Sequence, residues 1–298
     1  MPDLQIGSVF AGYRIEEIAA RGGMGVIYRA TQITPERTVA LKVIAPGLAQ
    51  DPEYRKRFQR ESEVAAAIEH PNVIPIYDAR EQDDVLFIAM RWVEGTTLAA
   101  IIAEQGRLHP VRATEILEHV AAALDAAHAR GLVHRDIKPA NVLIDMQGSR
   151  EHVYLTDFGV ARRLDAQTIT GGVGTIDYMA PEQFSGETLD GRADVYGLGC
   201  LLYRMLTGEA PYPADNDLAK MRAHIEAPPP RPSKAAPELS PAFDTVIARA
   251  LAKEPEKRYP TAGELAQAAS DAARGVAPIT AETRIAAAPP PTAAPAGA

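Results

Sequence analysis

The densest reactive chemistry in the chain lies in eight consecutive residues, HRDIKPAN at 134–141. They bring together a carboxylate able to take a proton (Asp136), two cations (Arg135 and Lys138), an imidazole (His134) and an amide oxygen able to meet a metal ion (Asn141). Sixteen residues after Asn141, the apolar run Val153-Tyr154-Leu155 delivers Asp157, with Phe158 and a glycine behind it. Asn141 and Asp157 together offer two oxygen ligands of the kind Mg²⁺ takes alongside phosphate and water.

An anion site is legible upstream. In ARGGMGVIY, 20–28, glycines 22, 23 and 25 let backbone N–H groups approach an anion that a Cβ would obstruct. Neither a Gly-Lys-Ser/Thr sequence nor a helix follows, so the stretch is not a P-loop and not a dinucleotide turn. These groups need elements to hold them. YRIEEI (13–18) and VIYRA (26–30) read as strands around the glycine turn, and VALKVI (39–44) as a third. Its alternation puts Val39, Leu41 and Val43 on one face and Ala40, Lys42 and Ile44 on the other.

A charged helix is expected from about 53 to 69, ended by Pro71. Phe58, Glu61, Ala65 and Ile68 share one side of it, at spacings of 3, 4 and 3. A carboxylate among apolar neighbours is costly without a cation, so Glu61 needs a partner. Strands near 73–78 and 85–90 and a short connector, 91–95, precede helices at about 96–104, 110–130, 193–207, 216–225, 240–252 and 261–273. The fold class is therefore α+β in two lobes: an N-terminal lead 1–12, a small sheet-rich lobe 13–90, the hinge 91–95 and a helical lobe 96–274. The last 24 residues, 275–298, hold five prolines and nine alanines without an apolar period, which reads as a flexible tail or linker. APPPRP at 227–232 reads as a rigid loop between helices.

Composition narrows the function. The chain has 298 residues, 46% hydrophobic and 23% charged, enough to bury a core. A net charge of −8 argues against nucleic acid as a main partner, since phosphate binding needs a basic face. The lone cysteine, Cys200, lies in an apolar run, permits no intrachain disulfide and suits a reducing cytoplasm. No stretch approaches the ~20 apolar residues of a membrane span, so no membrane contact is expected within this chain. The N-terminus lacks signal-peptide character.

GGMG, HRDIKPAN, VYLTDFG and GEAPY, in this order along the chain, resemble the eukaryotic-type (Hanks-type) Ser/Thr protein kinase family, in its bacterial receptor-like branch, over about residues 12–273. The resemblance implies a bilobal kinase that transfers the ATP γ-phosphoryl group to Ser/Thr hydroxyls of proteins, with Mg²⁺ or alternatively Mn²⁺. By that resemblance, Gly22, Gly25 and Ile27 lie over the ATP phosphates, and Ala20 replaces the first loop glycine. Lys42 pairs the phosphates and meets Glu61, 19 residues on. Asp136 is the base, Lys138 neutralises the moving phosphoryl group, and Asn141 and Asp157 hold metal. Ala40 and Leu143 sandwich the adenine, Met90 lines the rear of its pocket and Val93 offers backbone hydrogen bonds. His134 packs under Phe158, Glu182 of the APE segment pairs with Arg258, and Asp194 braces the catalytic loop.

Lys138 and Thr175 mark Ser/Thr rather than Tyr specificity. Arg135 is the expected receiver of a phosphate on Thr168 or Thr170, and Thr280 and Thr283 are further acceptors. The resemblance also implies a homodimer through the small lobe and a cytoplasmic location, or the cytosolic part of a membrane receptor kinase. A non-catalytic pseudokinase scaffold is the alternative, but Lys42, Asp136, Asn141 and Asp157 all stand, and only Ala20 points that way. A small-molecule phosphotransferase would lack the APE segment.

Overall fold

The computed structural model describes residues 4–23, 25–147, 150–158, 176–185 and 189–275. Six antiparallel strands form the small lobe: β1 (Val9–Phe10), β2 (Tyr13–Gly22), β3 (Gly25–Gln32), β4 (Arg37–Ile44), β5 (Ile76–Gln82) and β6 (Val85–Arg91), in the order β1-β2-β3-β4-β6-β5. Between β4 and β5 run α1 (Pro46–Ala49) and α2 (Pro52–Ala66). The alternation expected of β4 is what packs the lobe. Val39 and Leu41 join Tyr13, Ile15, Tyr28 and Phe87 in one cluster, while Ala40 faces a second cluster at the hinge.

The helix α2 begins where Asp51 accepts the Glu53 N–H at 3.0 Å, with Pro52 in the first turn. It buries Tyr54, Phe58, Ser62 and Ala65. It ends at Ala66, several residues before Pro71 requires, and Arg130 from the other lobe donates to the Ala67 carbonyl just past its end. That arginine is a tertiary stop, which a sequence reading confined to local signals does not see.

Past the hinge come β7 (Gly95–Thr97), α3 (Leu98–Gln105), α4 (Pro110–His128), β8 (Val142–Gln147) and β9 (Arg150–Leu155). There follow α5 (Glu182–Ser185), α6 (Gly191–Thr207), α7 (Asp217–Glu226), α8 (Pro232–Ala235), α9 (Ala242–Ala250) and α10 (Ala262–Ala273). Strands β7, β8 and β9 make a small antiparallel sheet under the hinge. The helix α6 is apolar on most sides because it is enclosed, buried from Ala193 to Leu206 almost without interruption, whereas α4 buries one face and leaves Glu115, Glu118 and His119 exposed. Among the described residues no helix is long and apolar enough to cross a membrane.

His224, on α7, is wholly buried and shares a 2.9 Å hydrogen bond with the Tyr196 hydroxyl through Nδ1. Its Nε2 has no hydrogen-bond partner among the described residues. Burial, then the charges of Lys253 and Lys220, push its pKa down to about 3. The unfolded chain binds a proton at this histidine near pH 6.5, whereas the folded chain does not until about pH 3. Between those values the unfolded state holds more protons, so stability falls as pH falls. Burial lowers the pKa of His134 in the same direction, while His128, raised by Asp194, acts oppositely. A comparison of wild type with His224→Phe isolates the one group. From pH 7 to pH 5 the wild type is expected to lose about 2 kcal/mol more than the variant in urea unfolding. Equal losses would contradict a buried neutral imidazole.

Candidate active site

Strand β9 and the turn at 139–141 bring the two halves of the reactive set together. The Thr156 N–H donates to the Asn141 carbonyl at 2.9 Å, which sets Asp157 beside Asn141. Asn141 Nδ2 in turn donates to the Asp136 carbonyl at 2.7 Å and to Asp136 Oδ2 at 3.0 Å. Lys138 Nζ lies 2.8 Å from the same Oδ2. The buried Asp136 carboxylate is thus met by an ammonium and an amide at one oxygen.

The His134 ring is held at both nitrogens. Its Nε2 meets the Thr156 carbonyl at 2.8 Å and, since a carbonyl only accepts, carries the hydrogen. Nδ1 accepts the Asp136 N–H at 3.3 Å. Both nitrogens are engaged by backbone, and the ring packs against Phe158 with centroids 4.8 Å apart. Asp194 accepts the N–H groups of His134 and Arg135, both at 2.7 Å. It also meets His128 Nε2 at 2.7 Å. Burial pushes the His128 imidazole down, but Asp194, with Asp125 and Asp190, raises its pKa overall.

Lys42 and Glu61 depart from the expected pairing. Lys42 Nζ lies 2.7 Å from Asp157 Oδ1, and Glu61 Oε1 lies 2.8 Å from Arg135 Nη1. The helix carboxylate does have a cation, as its apolar surroundings demand, but the cation comes from the catalytic loop rather than from β4. Glu61 Oε2 is buried, with no hydrogen-bond partner among the described residues. Spacing along the chain shows that Glu61 needs a positive charge; it cannot choose between two arginine and lysine neighbours brought close by folding.

Beside the hinge, Ala40, Ile74, Met90 and Tyr154 form one buried cluster, with Ile27, Trp92, Val93 and Leu143 packed on it. Four of these were expected to line an adenine pocket, Ala40, Met90, Val93 and Leu143, and Ile27 was expected over the phosphates. Ile74 and Tyr154 were not; the strand alternation of β8 against β9, which sets Leu143 opposite Tyr154, is the signal that could have found the second. Above the cluster, Gly22 pairs with Gly25 and Ala20 with Ile27 across the β2–β3 hairpin, with Gly23 at the turn. Gly25 has φ +145°, and a Cβ there would sit 1.9 Å from the Val43 carbonyl oxygen. No other residue fits without moving β4.

The APE glutamate, Glu182, receives Arg258 through both guanidinium nitrogens, at 2.5 and 2.8 Å. Thr168, Thr170, Thr175, Thr280 and Thr283 lie outside the described residues, as does most of the expected tail. The donors fit Mg²⁺: the Asn141 amide nitrogen is engaged by Asp136, leaving its carbonyl oxygen as a hard ligand next to the Asp157 carboxylate.

A small antiparallel lobe over a helical one, with a carboxylate, a lysine and an amide converging below a glycine hairpin, defines a kinase catalytic domain. The chain belongs to the protein kinase domain family, which it matches over residues 13–269. It is 43% identical over 273 residues to the serine/threonine-protein kinase PknH of Mycobacterium tuberculosis, covering 91% of this chain and 43% of that protein. To the serine/threonine-protein kinase PknE of Mycobacterium bovis it is 46% identical over 266 residues, covering 88% of this chain and 46% of that protein. The chain therefore spans less than half the length of these relatives. The solved kinase domain of Mycobacterium tuberculosis PknI is similar at 35% identity and a TM-score of 0.76, covering 92% of this chain and all of that one.

Proposed function

We propose that this chain is a serine/threonine protein kinase that transfers the γ-phosphoryl group of ATP to protein hydroxyls. The observation that carries this is the Asp136 carboxylate, gripped by Lys138 at 2.8 Å and Asn141 at 3.0 Å, directly beside the Lys42–Asp157 pair. Asp136 orients the substrate hydroxyl and accepts its proton. Lys138 offsets charge on the moving group, and Lys42 takes up the nucleotide phosphates. Asn141 and Asp157 hold Mg²⁺, which when bound neutralises phosphate charge. The cluster around Ala40, Met90 and Leu143 receives the adenine, with hydrogen bonds from the Val93 backbone.

The exchanged ion pairs suit a resting arrangement. Activity in this family needs the strand lysine on the helix glutamate. Glu61 then leaves Arg135 for Lys42, and Arg135 becomes available to a phosphate on Thr168 or Thr170. Small-lobe pairing of two copies would allow that phosphorylation in trans. A reducing, cytosolic setting suits the single, fully buried Cys200. The test is incubation with radiolabelled ATP, Mg²⁺ and a generic basic protein, followed by phosphoamino-acid analysis and mass spectrometry of the chain itself. Label on serine and threonine, with phosphate on Thr168 or Thr170, is expected. Label confined to tyrosine, or none, would overturn the reading.

A further inference from the structure

The peptide unit joining Arg135 to Asp136 is held at both ends. Its N–H donates to His134 Nδ1 at 3.3 Å, and its carbonyl oxygen accepts from Gln183 Nε2 at 3.1 Å. Arg135 itself sits at φ +64°, left-handed backbone that an arginine disfavours. Such a conformation persists only where its surroundings fix it. Asp194 fixes the Arg135 N–H, and Gln183 fixes the carbonyl.

Gln183 is itself locked. Its Oε1 accepts the Ala180 N–H at 2.9 Å. One partner can only donate and the other only accept, so the orientation of the amide is unambiguous. The amide places its donor and its acceptor on two separate atoms, so each partner is met at its own end without a titrating group. Gln183 stands in α5, directly after Glu182, and Glu182 is anchored by the buried Arg258. The amide thus ties the end of the activation segment to the backbone that aims the base.

We propose that Gln183 is a positioning residue for phosphoryl transfer, holding the peptide plane that carries Asp136 and coupling it to the seating of the Ala180–Ser185 segment. This rests on Asp136 being the base. Displacing a reacting group by about 1 Å can cost about 100-fold in rate, and losing one of several restraints on the plane costs less.

The test compares Gln183→Leu, which removes both hydrogen bonds, with Gln183→Glu. The latter keeps an acceptor for Ala180 but turns a carboxylate oxygen toward the Arg135 carbonyl. Both are assayed for kcat and for KM of ATP and of a protein substrate, with unfolding midpoints measured and Asp136→Asn run alongside. The expectation is a kcat about 10- to 100-fold lower in both variants, with the KM for ATP unchanged and the loss of kcat far exceeding any loss of folded fraction at the assay temperature. If Gln183→Leu does not fold, Gln183→Glu decides. A kcat for Gln183→Glu within about twofold of wild type, or one that falls only in step with the folded fraction, overturns the proposal. Should Asp136→Asn retain full kcat, the base assignment falls instead, so the two failures are distinguishable.

Discussion

Asp136→Asn is expected to slow phosphoryl transfer to a protein substrate by about 10²- to 10⁴-fold, the range for loss of a general base. The variant keeps the size of the side chain and an oxygen for Asn141 Nδ2, which now lies 3.0 Å from Asp136 Oδ2. It loses the negative charge that Lys138 meets at 2.8 Å and the basicity that draws a proton from the substrate hydroxyl. In the proposed function ATP is held by the hinge cluster, Lys42 and Asp157, none of which the substitution alters, so the KM for ATP should hold. Steady-state kinetics read both quantities. A kcat within about tenfold of wild type would remove Asp136 from the proton transfer.

The second large effect is on stability. The Arg258 side chain has 0% exposure and that of Glu182 9%. Besides the two contacts to Glu182, the guanidinium donates to the carbonyls of Arg192 at 2.9 Å, Ala252 at 2.8 Å and Lys253 at 3.0 Å. Arg258→Met removes all of these and leaves a carboxylate buried without its cation. Breaking such a pair costs about 3–5 kcal/mol, read as a fall in unfolding free energy in urea. Arg258→Lys should recover only part, because one ammonium cannot reproduce a fork of donors. The double variant Glu182→Gln/Arg258→Met should be less destabilised than the two single losses added together, since neither charge is then stranded. A loss below about 1 kcal/mol for Arg258→Met would mean that water reaches Glu182 and that the pair is not enclosed.

Much of this was legible in the sequence because it follows from local rules. The alternation of Val39, Leu41 and Val43 against Ala40, Lys42 and Ile44 assigns the two faces of β4, and the clusters on either side of that strand follow it. Asp136, Lys138, Asn141 and Asp157 were named through the family resemblance of the HRDIKPAN and DFG segments rather than through a local rule, and the fold links Asp136 to Lys138 and Asn141 and pairs Asp157 with Lys42. What escaped depends on distance along the chain. Strand β7 has three residues, and among the described residues β7 and β8 pair with each other and with β9, so their strength lies in a tertiary sheet rather than in their own residues. The end of α2 at Ala66 is coupled to Arg130, 64 positions away. Glu61 has Arg135 as its partner, 74 residues on, although Lys42 is nearer in sequence. Gln183 carries no titrating group and sits in no reactive motif, so only the hydrogen bonds it makes reveal it.

The central claim is that Asp136, Lys138, Lys42, Asn141 and Asp157 surround one bound nucleotide triphosphate. A crystal structure of the protein with Mg²⁺ and a non-hydrolysable ATP analogue tests it most directly. The account predicts the adenine on the Ala40–Met90–Leu143 cluster, metal between Asn141 and Asp157, Lys42 released toward the phosphates, and the terminal phosphorus facing Asp136 with space for a hydroxyl between them. A nucleotide bound elsewhere, or a terminal phosphate walled off from Asp136, would contradict it.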